Sequence, residues 1–233
     1  MQLYTEIAKV AGLALLLAGC VVAVPDQVVA PGAEGRAEGP ARLRLVDARL
    51  MTDAADPQVL ARLRAHIAAA QSGAARAMGR SQAAPIWRVC TTPACDQAHG
   101  MTTRGLSYGS LAINIGSRAW DDAPTYLHEA IHAEMNTSDL LMIRLRQPVP
   151  VWFDEGIATH VSGTVGADLS AAECAALAGR TLPTRPADFT ALTREIGFRN
   201  AYGAASCRVK DWLAAGRRTQ DVIAIMQSGK GLP

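Results

Sequence analysis

The sequence is poor in lysine and in aromatic residues, and neither sign of charge dominates. Only three of its 23 basic residues are lysines, aromatic residues make up 5%, and the formal net charge of the 233-residue chain is +2. A protein that binds nucleic acid needs a strongly basic patch or stripe. The composition therefore predicts no nucleic-acid partner.

Long hydrophobic runs are also missing, apart from one short stretch near the N-terminus. Residues 10–18 are apolar, but a helix that spans a bilayer needs roughly 20 such residues. The run has the length of a signal-peptide core instead. It ends in Leu-Ala-Gly-Cys at 17–20, which resembles the lipobox of bacterial lipoproteins. The resemblance implies that residues 1–19 are a signal peptide and that Cys20 carries the lipid.

The residues after Cys20 extend this expectation. Val21 and Val22 follow, and the absence of an aspartate there is similar to the sorting pattern of outer-membrane lipoproteins in bacteria with two membranes. Residues 20–40, rich in proline and glycine, are expected to form the lipidated cysteine and a flexible tether. We therefore expect a cell-envelope protein, anchored to the outer membrane through its lipid and facing the periplasm. Residues 41–233 have the length of one domain with its own core.

Four further cysteines favour an oxidising compartment. An even number in an exported domain predicts two disulfides, for which three pairings exist. We favour a pair that closes a tight loop and a second pair that links two C-terminal helices. These pairs are Cys90 with Cys95 and Cys174 with Cys207. No Cys-x-x-Cys pair occurs in the sequence, so a cysteine zinc site is not predicted.

Hydrophobic periodicity predicts an α+β fold. Three segments have the pattern of strands: residues 42–49, 86–91 and 110–115. A helix is expected to begin at Pro57 after Asp56 and to end at Gly73 or Gly79. From about residue 170 the pattern is helical to the end. The domain is therefore predicted to combine a small mixed sheet with a helical C-terminal half.

A helix predicted to begin near Pro124 carries the chemistry, because it contains His-Glu-Ala-Ile-His at 128–132. Residues four apart lie on one face of a helix. His128 and His132 can therefore bind one metal at the roughly 2.0–2.1 Å that zinc requires. Glu129 falls beside the open coordination site, where it can accept a proton from a metal-activated water.

A second motif, Trp-Phe-Asp-Glu-Gly-Ile-Ala, follows at 152–158. Together the two motifs resemble the gluzincin metallopeptidases, in particular the compact bacterial peptidase MA-like domains. In that family the glutamate of the second motif is the third zinc ligand, so the resemblance assigns Zn2+ to His128, His132 and Glu155. It implies a zincin-like fold for residues 41–233 and zinc-dependent hydrolysis of a peptide or protein substrate.

The neighbours of Glu155 leave alternatives open. His160 is the alternative third ligand, which would make a three-histidine site. Asp154 is expected to be a solvated or helix-start residue, with a hydrogen bond to a ligand histidine as the alternative. Gly156 is expected to let this helix approach the helix of the first motif closely. Thr159 stands where some gluzincins carry an acidic residue.

The helical half supplies one more candidate. In related domains a tyrosine stabilises the oxyanion of the tetrahedral intermediate, and the segment at 200–205 resembles that region, which makes Tyr202 the candidate catalytic tyrosine. A packed helical tyrosine is the other interpretation, and Tyr126, Arg208 and His160 are alternatives for the role. The resemblance also implies that residues 110–115 form the edge strand on which a substrate peptide docks.

Two classes of function fit these motifs. One is a zinc metallopeptidase, and the other is a non-catalytic lipoprotein that binds zinc for structure or for binding a partner. The unliganded Glu129 favours the enzyme, because a structural site has no use for a carboxylate between its histidines.

Overall fold

The computed structural model describes residue 39, residues 41–137 and residues 149–228 of the 233-residue chain. The predicted signal peptide and the lipidation site at Cys20 lie outside the described residues, as does nearly all of the predicted tether. Among the described helices, none has both the length and the apolar character that a bilayer span requires.

The described strands form one mixed five-stranded sheet in the order β1-β2-β3-β5-β4. The strands are β1 Arg44–Asp47, β2 Leu50–Thr52, β3 Ile86–Val89, β4 Gly105–Tyr108 and β5 Ala112–Ile115. Strands β2, β3 and β5 run parallel, while β1 and β4 pair antiparallel with β2 and β5. The expectation of a small mixed sheet in an α+β fold is confirmed.

Each of the three predicted segments contains a strand, but two details of the predictions were wrong. The alternation over residues 42–49 predicted one strand, but β1 ends at Asp47, and a turn leads into β2. In that turn the Arg49 backbone N–H donates to Asp47 Oδ1 at 3.2 Å, a local bond that competes with strand pairing. Residues 110–115 were expected to be the edge strand, but β5 lies between β3 and β4, and β4 is the edge.

Eight helices are found in the described residues. They are α1 Pro57–Met78, α2 Pro93–His99, α3 Ala123–Met135, α4 Val151–Ser162, α5 Ala171–Leu177, α6 Pro186–Ile196, α7 Phe198–Ala214 and α8 Asp221–Ser228. The bounds predicted for α1 are confirmed: Asp56 caps its first turn, and Gly79 ends it with a φ of 67°. Gly73 lies inside α1, where a Cβ would come within 2.9 Å of Leu127 Cδ1, so it allows α1 and α3 to pack closely.

The main core lies between one face of the sheet and the helices α1 and α3. Trp87 of β3 and Tyr126 of α3 are fully buried and stack with ring centroids 5.6 Å apart. Helix α4 packs against α3 and α7, where Phe153 meets the ring of Trp212 at 5.1 Å. Complete burial of side chains of this size stabilises a fold by roughly 1.5–3 kcal/mol each. This packing fixes the two helices that carry the motifs.

Both favoured disulfide pairings are present. The Cα atoms of Cys90 and Cys95 are 5.4 Å apart, and those of Cys174 and Cys207 are 5.7 Å apart. The first disulfide joins the end of β3 to the start of α2, whose cap is the Thr92 side chain. The second links α5 to α7, as expected for two C-terminal helices.

Candidate metal centre

Three donor atoms from two helices converge on one point. His128 Nε2 lies 3.1 Å from His132 Nε2 and 3.3 Å from Glu155 Oε2, and His132 Nε2 lies 3.5 Å from the same oxygen. Atoms bound tetrahedrally at the distances zinc prefers are about 3.3–3.4 Å apart. The three atoms therefore form a triangle, here called the donor triangle, with the size of one face of a zinc tetrahedron.

The local structure explains the convergence. The two histidines are one turn apart on α3 and are 8% and 6% exposed, so α3 holds them on a buried face. Glu155 comes from the second turn of α4, which begins after Pro150 and packs against α3. Among the described residues, His160 does not belong to the group of donors that could hold a metal. The geometry thus favours Glu155 over His160 as the third donor.

Each imidazole also has a partner for its second nitrogen. His132 Nδ1 lies 2.9 Å from Asp154 Oδ1, and His128 Nδ1 lies 3.3 Å from Thr164 Oγ1. A histidine that donates its Nδ1 proton leaves the Nε2 lone pair free for a metal. Asp154 lies in the first turn of α4, as expected for a helix-start residue, and its carboxylate also bonds His132, which was the alternative. Thr164 was not predicted.

The charges around the donor triangle are strongly coupled. Burial works against charging His132, but the carboxylates of Asp154 and Glu155 outweigh it and hold the pKa of His132 well above its usual value. Burial would raise the pKa of Glu155, but His132 and His128 outweigh it and hold that pKa far below its usual value. The carboxylates of Asp154 and Glu155 thus favour positive charge on the imidazole at this buried position.

Thr159 has no part in this arrangement. It is fully buried, and within the described chain its hydroxyl has no hydrogen-bond partner. The carboxylate that orients a histidine therefore comes from Asp154, one residue before Glu155, and not from the position four residues after it.

Glu129 lies beside the donor triangle and against the edge strand. At Gly105 of β4 a Cβ would come within 2.5 Å of Glu129 Oε1, so glycine makes room for the carboxylate. Burial raises the pKa of Glu129, and the imidazoles of His128 and His132 oppose that rise. The Ser107 side chain of β4 also works against the rise. Glu129 thus lies against the edge strand of the sheet.

A cleft of about 740 Å³ opens beside these residues and is lined by His128, Glu129 and Tyr202, among others. The Tyr202 ring lies 6.1 Å from the His128 ring and stacks on Phe198 at 4.1 Å. Burial, with a further contribution from the Glu155, Glu129 and Asp154 carboxylates, raises the pKa of Tyr202. Its hydroxyl therefore stays protonated at neutral pH.

The alternatives to Tyr202 are placed elsewhere. The Tyr126 hydroxyl donates to the Trp120 carbonyl at 2.8 Å, and Arg208 donates to the Ala178 carbonyl at 2.9 Å. Neither of these residues lines the cleft, and His160 does not line it either. The structure thus brings Tyr202, but none of its alternatives, to the cleft.

Two glycine contacts position the second half of the site. At Gly156 a Cβ would come within 2.6 Å of the Ala205 carbonyl oxygen, so this glycine brings α4 close to α7. The expectation that it brings α4 close to α3 was wrong. At Gly166, which has a φ of 100°, a Cβ would lie 2.7 Å from the Gly203 backbone nitrogen. The loop that carries Thr164 therefore lies directly on the backbone of α7.

Comparison of the chain with protein-family models, with curated proteins and with solved structures found no match in any of the three. The resemblance to gluzincins therefore remains a prediction from the two motifs.

Proposed function

We propose that the chain is a zinc-dependent metallopeptidase of the gluzincin type, with a zincin-like fold, that hydrolyses peptide bonds. The observation that carries the proposal is the donor triangle of His128, His132 and Glu155 with the unliganded Glu129 beside it. A site built only to stabilise the fold would use a fourth protein ligand, whereas three ligands leave a position open for substrate or water.

The donor set fits zinc. Two imidazole nitrogens and one carboxylate oxygen suit a borderline-soft ion, whereas calcium and magnesium prefer oxygen ligands. Zinc held by these residues would polarise a substrate carbonyl and lower the pKa of water to about 7.

Glu129 would act as the general base and then as the general acid. Its carboxylate lines the cleft next to the donor triangle, so it can accept a proton from the attacking water and pass that proton to the departing amine. The close approach of Gly105 on β4 limits where the carboxylate can lie during both transfers.

Two further parts of the cleft have roles in this proposal. Strand β4, which brings Gly105 to the cleft, is the edge of the sheet that the described residues form, and this edge can pair with an extended substrate peptide. The protonated Tyr202 hydroxyl is our candidate donor to the oxyanion that forms from the substrate carbonyl.

We also propose that the protein is lipid-anchored in the cell envelope, with its domain in the periplasm. The lipobox-like segment that ends at Cys20 supports an anchor, and the two disulfides support an oxidising compartment. Membrane fractionation of wild-type protein and of Cys20→Ala tests this. Wild-type protein found wholly in the soluble fraction would contradict the anchor.

One experiment tests the peptidase. The metal content of the purified protein is measured by native mass spectrometry, and cleavage of a mixed peptide library is followed with and without chelator. We expect one zinc per chain and cleavage that is lost with chelator and restored by zinc but not by magnesium. Bound zinc without cleavage would favour the non-catalytic alternative. A protein that binds no zinc would overturn the proposal.

A further inference from the structure

The cleft has a basic wall that hydrolysis itself does not require. Arg104 and Arg118 line the cleft together with residues at the N-terminal end of α3; these two arginines are called the basic wall below. Both are exposed. Two apolar side chains, Val165 and Phe198, also line the cleft and are about half exposed. The cleft thus offers both charged and apolar contacts to a bound chain.

Contacts hold the basic wall in position. Arg104 donates to Asp122 Oδ2 at 2.7 Å and to the Arg118 carbonyl at 3.2 Å. Arg118 donates to the Thr102 carbonyl at 2.7 Å. The Thr125 hydroxyl also donates to Asp122 Oδ2, so this oxygen accepts from both Arg104 and Thr125.

The charge of Arg118 is not balanced locally. Within residues 41–137 and 149–228, no carboxylate lies within salt-bridge distance of its guanidinium, which has five N–H donors. Because the carbonyl of Thr102 occupies only part of this donor set, the remaining donors can bind an anion. A guanidinium fork matches a carboxylate, which it can bind through two parallel hydrogen bonds.

The position of the basic wall sets where the anion lies on a substrate. Arg104 contacts Asp122, the N-cap of α3, and Glu129 lies seven residues further along the same helix. At 1.5 Å per residue this separation is about 10 Å. An extended peptide covers about 10 Å with three residues. A group bound next to the N-terminal end of α3, where Arg104 contacts Asp122, would therefore lie about three residues from the cleaved bond.

We propose that the basic wall binds a carboxylate of the substrate at this distance, an inference that rests on the proposed peptidase function. The substrate class is then peptides with an acidic side chain, or with their own C-terminal carboxylate, about three residues from the cleaved bond. Because Arg118 has the unbalanced charge, it contributes most of this selectivity.

The test starts from a decapeptide that has no acidic residues and an amidated C-terminus. Glutamate or glutamine is placed at each position of this peptide in turn. A further peptide has the same neutral sequence but a free C-terminus. Binding is measured by fluorescence anisotropy to zinc-loaded Glu129→Gln protein, and cleavage by wild-type protein is measured by mass spectrometry. The same measurements follow with Arg118→Gln added. Arg194→Gln is the matched control, because Arg194 is exposed on α6 and does not line the cleft.

We expect glutamate at one position, or the free C-terminus, to strengthen binding about tenfold over its neutral counterpart. Arg118→Gln should remove that difference, and Arg194→Gln should keep it. The glutamate and C-terminal arms show which carboxylate is recognised. If Arg118→Gln does not fold, the comparison of glutamate with glutamine peptides on otherwise unaltered protein still shows whether the cleft binds a carboxylate.

The outcomes separate the two proposals. Equal binding and equal cleavage of acidic and neutral peptides would overturn the carboxylate site and leave the peptidase standing. A carboxylate preference in binding without cleavage of any peptide would contradict the peptidase and support the anion site. A preference that persists in Arg118→Gln would overturn the assignment to Arg118.

Discussion

The two halves of the described chain contribute to the candidate centre in different ways. The first half, residues 41–137, supplies both imidazoles and the proposed base from a single helix, α3. The second half, residues 149–228, supplies the third donor from α4 and the hydroxyl of Thr164 from a loop. The first set is fixed by helix geometry, whereas the second depends on how α4 and α7 pack. Metal affinity should therefore depend on both halves, whereas the proposed proton transfer depends on the first.

The largest effect is expected at the third donor. Glu155→Ala leaves both imidazoles in place but opens the donor triangle, so zinc affinity should fall more than about 100-fold, since loss of an outer partner alone costs 10–100-fold. Competition with a chromophoric chelator measures this. Glu195→Ala, an exposed glutamate of α6, is the control. Unchanged affinity in Glu155→Ala would remove Glu155 from the site and contradict the gluzincin assignment.

The proposed base is expected to separate catalysis from metal binding. Glu129→Gln should keep zinc, because Glu129 is outside the donor triangle, and should lower turnover by about 100-fold or more. Metal content and steady-state cleavage of one library substrate are measured on the same preparation. Turnover equal to wild type would mean that another residue is the base.

The partners of the two histidines offer a direct comparison. Asp154→Asn removes a carboxylate 2.9 Å from His132, whereas Thr164→Val removes a hydroxyl 3.3 Å from His128. Loss of the charged partner should weaken zinc binding by about 10–100-fold, and loss of the neutral partner should weaken it less. Zinc titrations of both variants measure the two losses of affinity. An equal loss in both would mean that charge is not what distinguishes these partners.

The smallest effect is expected from the sheet side. Gly105→Ala places a methyl group against Glu129 Oε1 and should shift the carboxylate by less than 1 Å. We expect turnover to fall about tenfold, below the roughly 100-fold that a 1 Å misplacement costs, with zinc affinity unchanged. Gly179→Ala is the control, because nothing lies within 4 Å of its Cβ. If both variants retain full turnover, the contact of β4 with Glu129 does not position the base.

The same division explains what the sequence could predict. The placement of His128, Glu129 and His132 follows from helix periodicity alone, and Glu155 follows from its motif. Sequence spacing gave no direction for the Asp154 side chain, so its bond to His132 could be considered only as an alternative. Thr164 lies 36 residues from His128, and no local signal connects residues so far apart.

In the fold, too, features set by neighbouring residues were predicted, whereas one that depends on distant contacts was not. Helix α1 was predicted with its cap and its end because Asp56, Pro57 and Gly79 act locally. The edge strand was missed because Gly105 and Ser107 give β4 little of the β-branched or aromatic character that marks a strand. Those small residues are needed there for the contact with Glu129. The small residues that fit beside Glu129 are thus the same residues that made β4 hard to predict.

The contact between Gly166 and Gly203 has a consequence for how the protein can vary. At both positions a side chain would collide with neighbouring atoms, and Gly166 also has a φ that other residues rarely adopt. Thr164 precedes one glycine by two residues, and Tyr202 precedes the other by one. The positions of two side chains of the candidate site thus depend on a single backbone contact. Related chains that diverge freely elsewhere should keep both glycines together or change the loop and the tyrosine in concert.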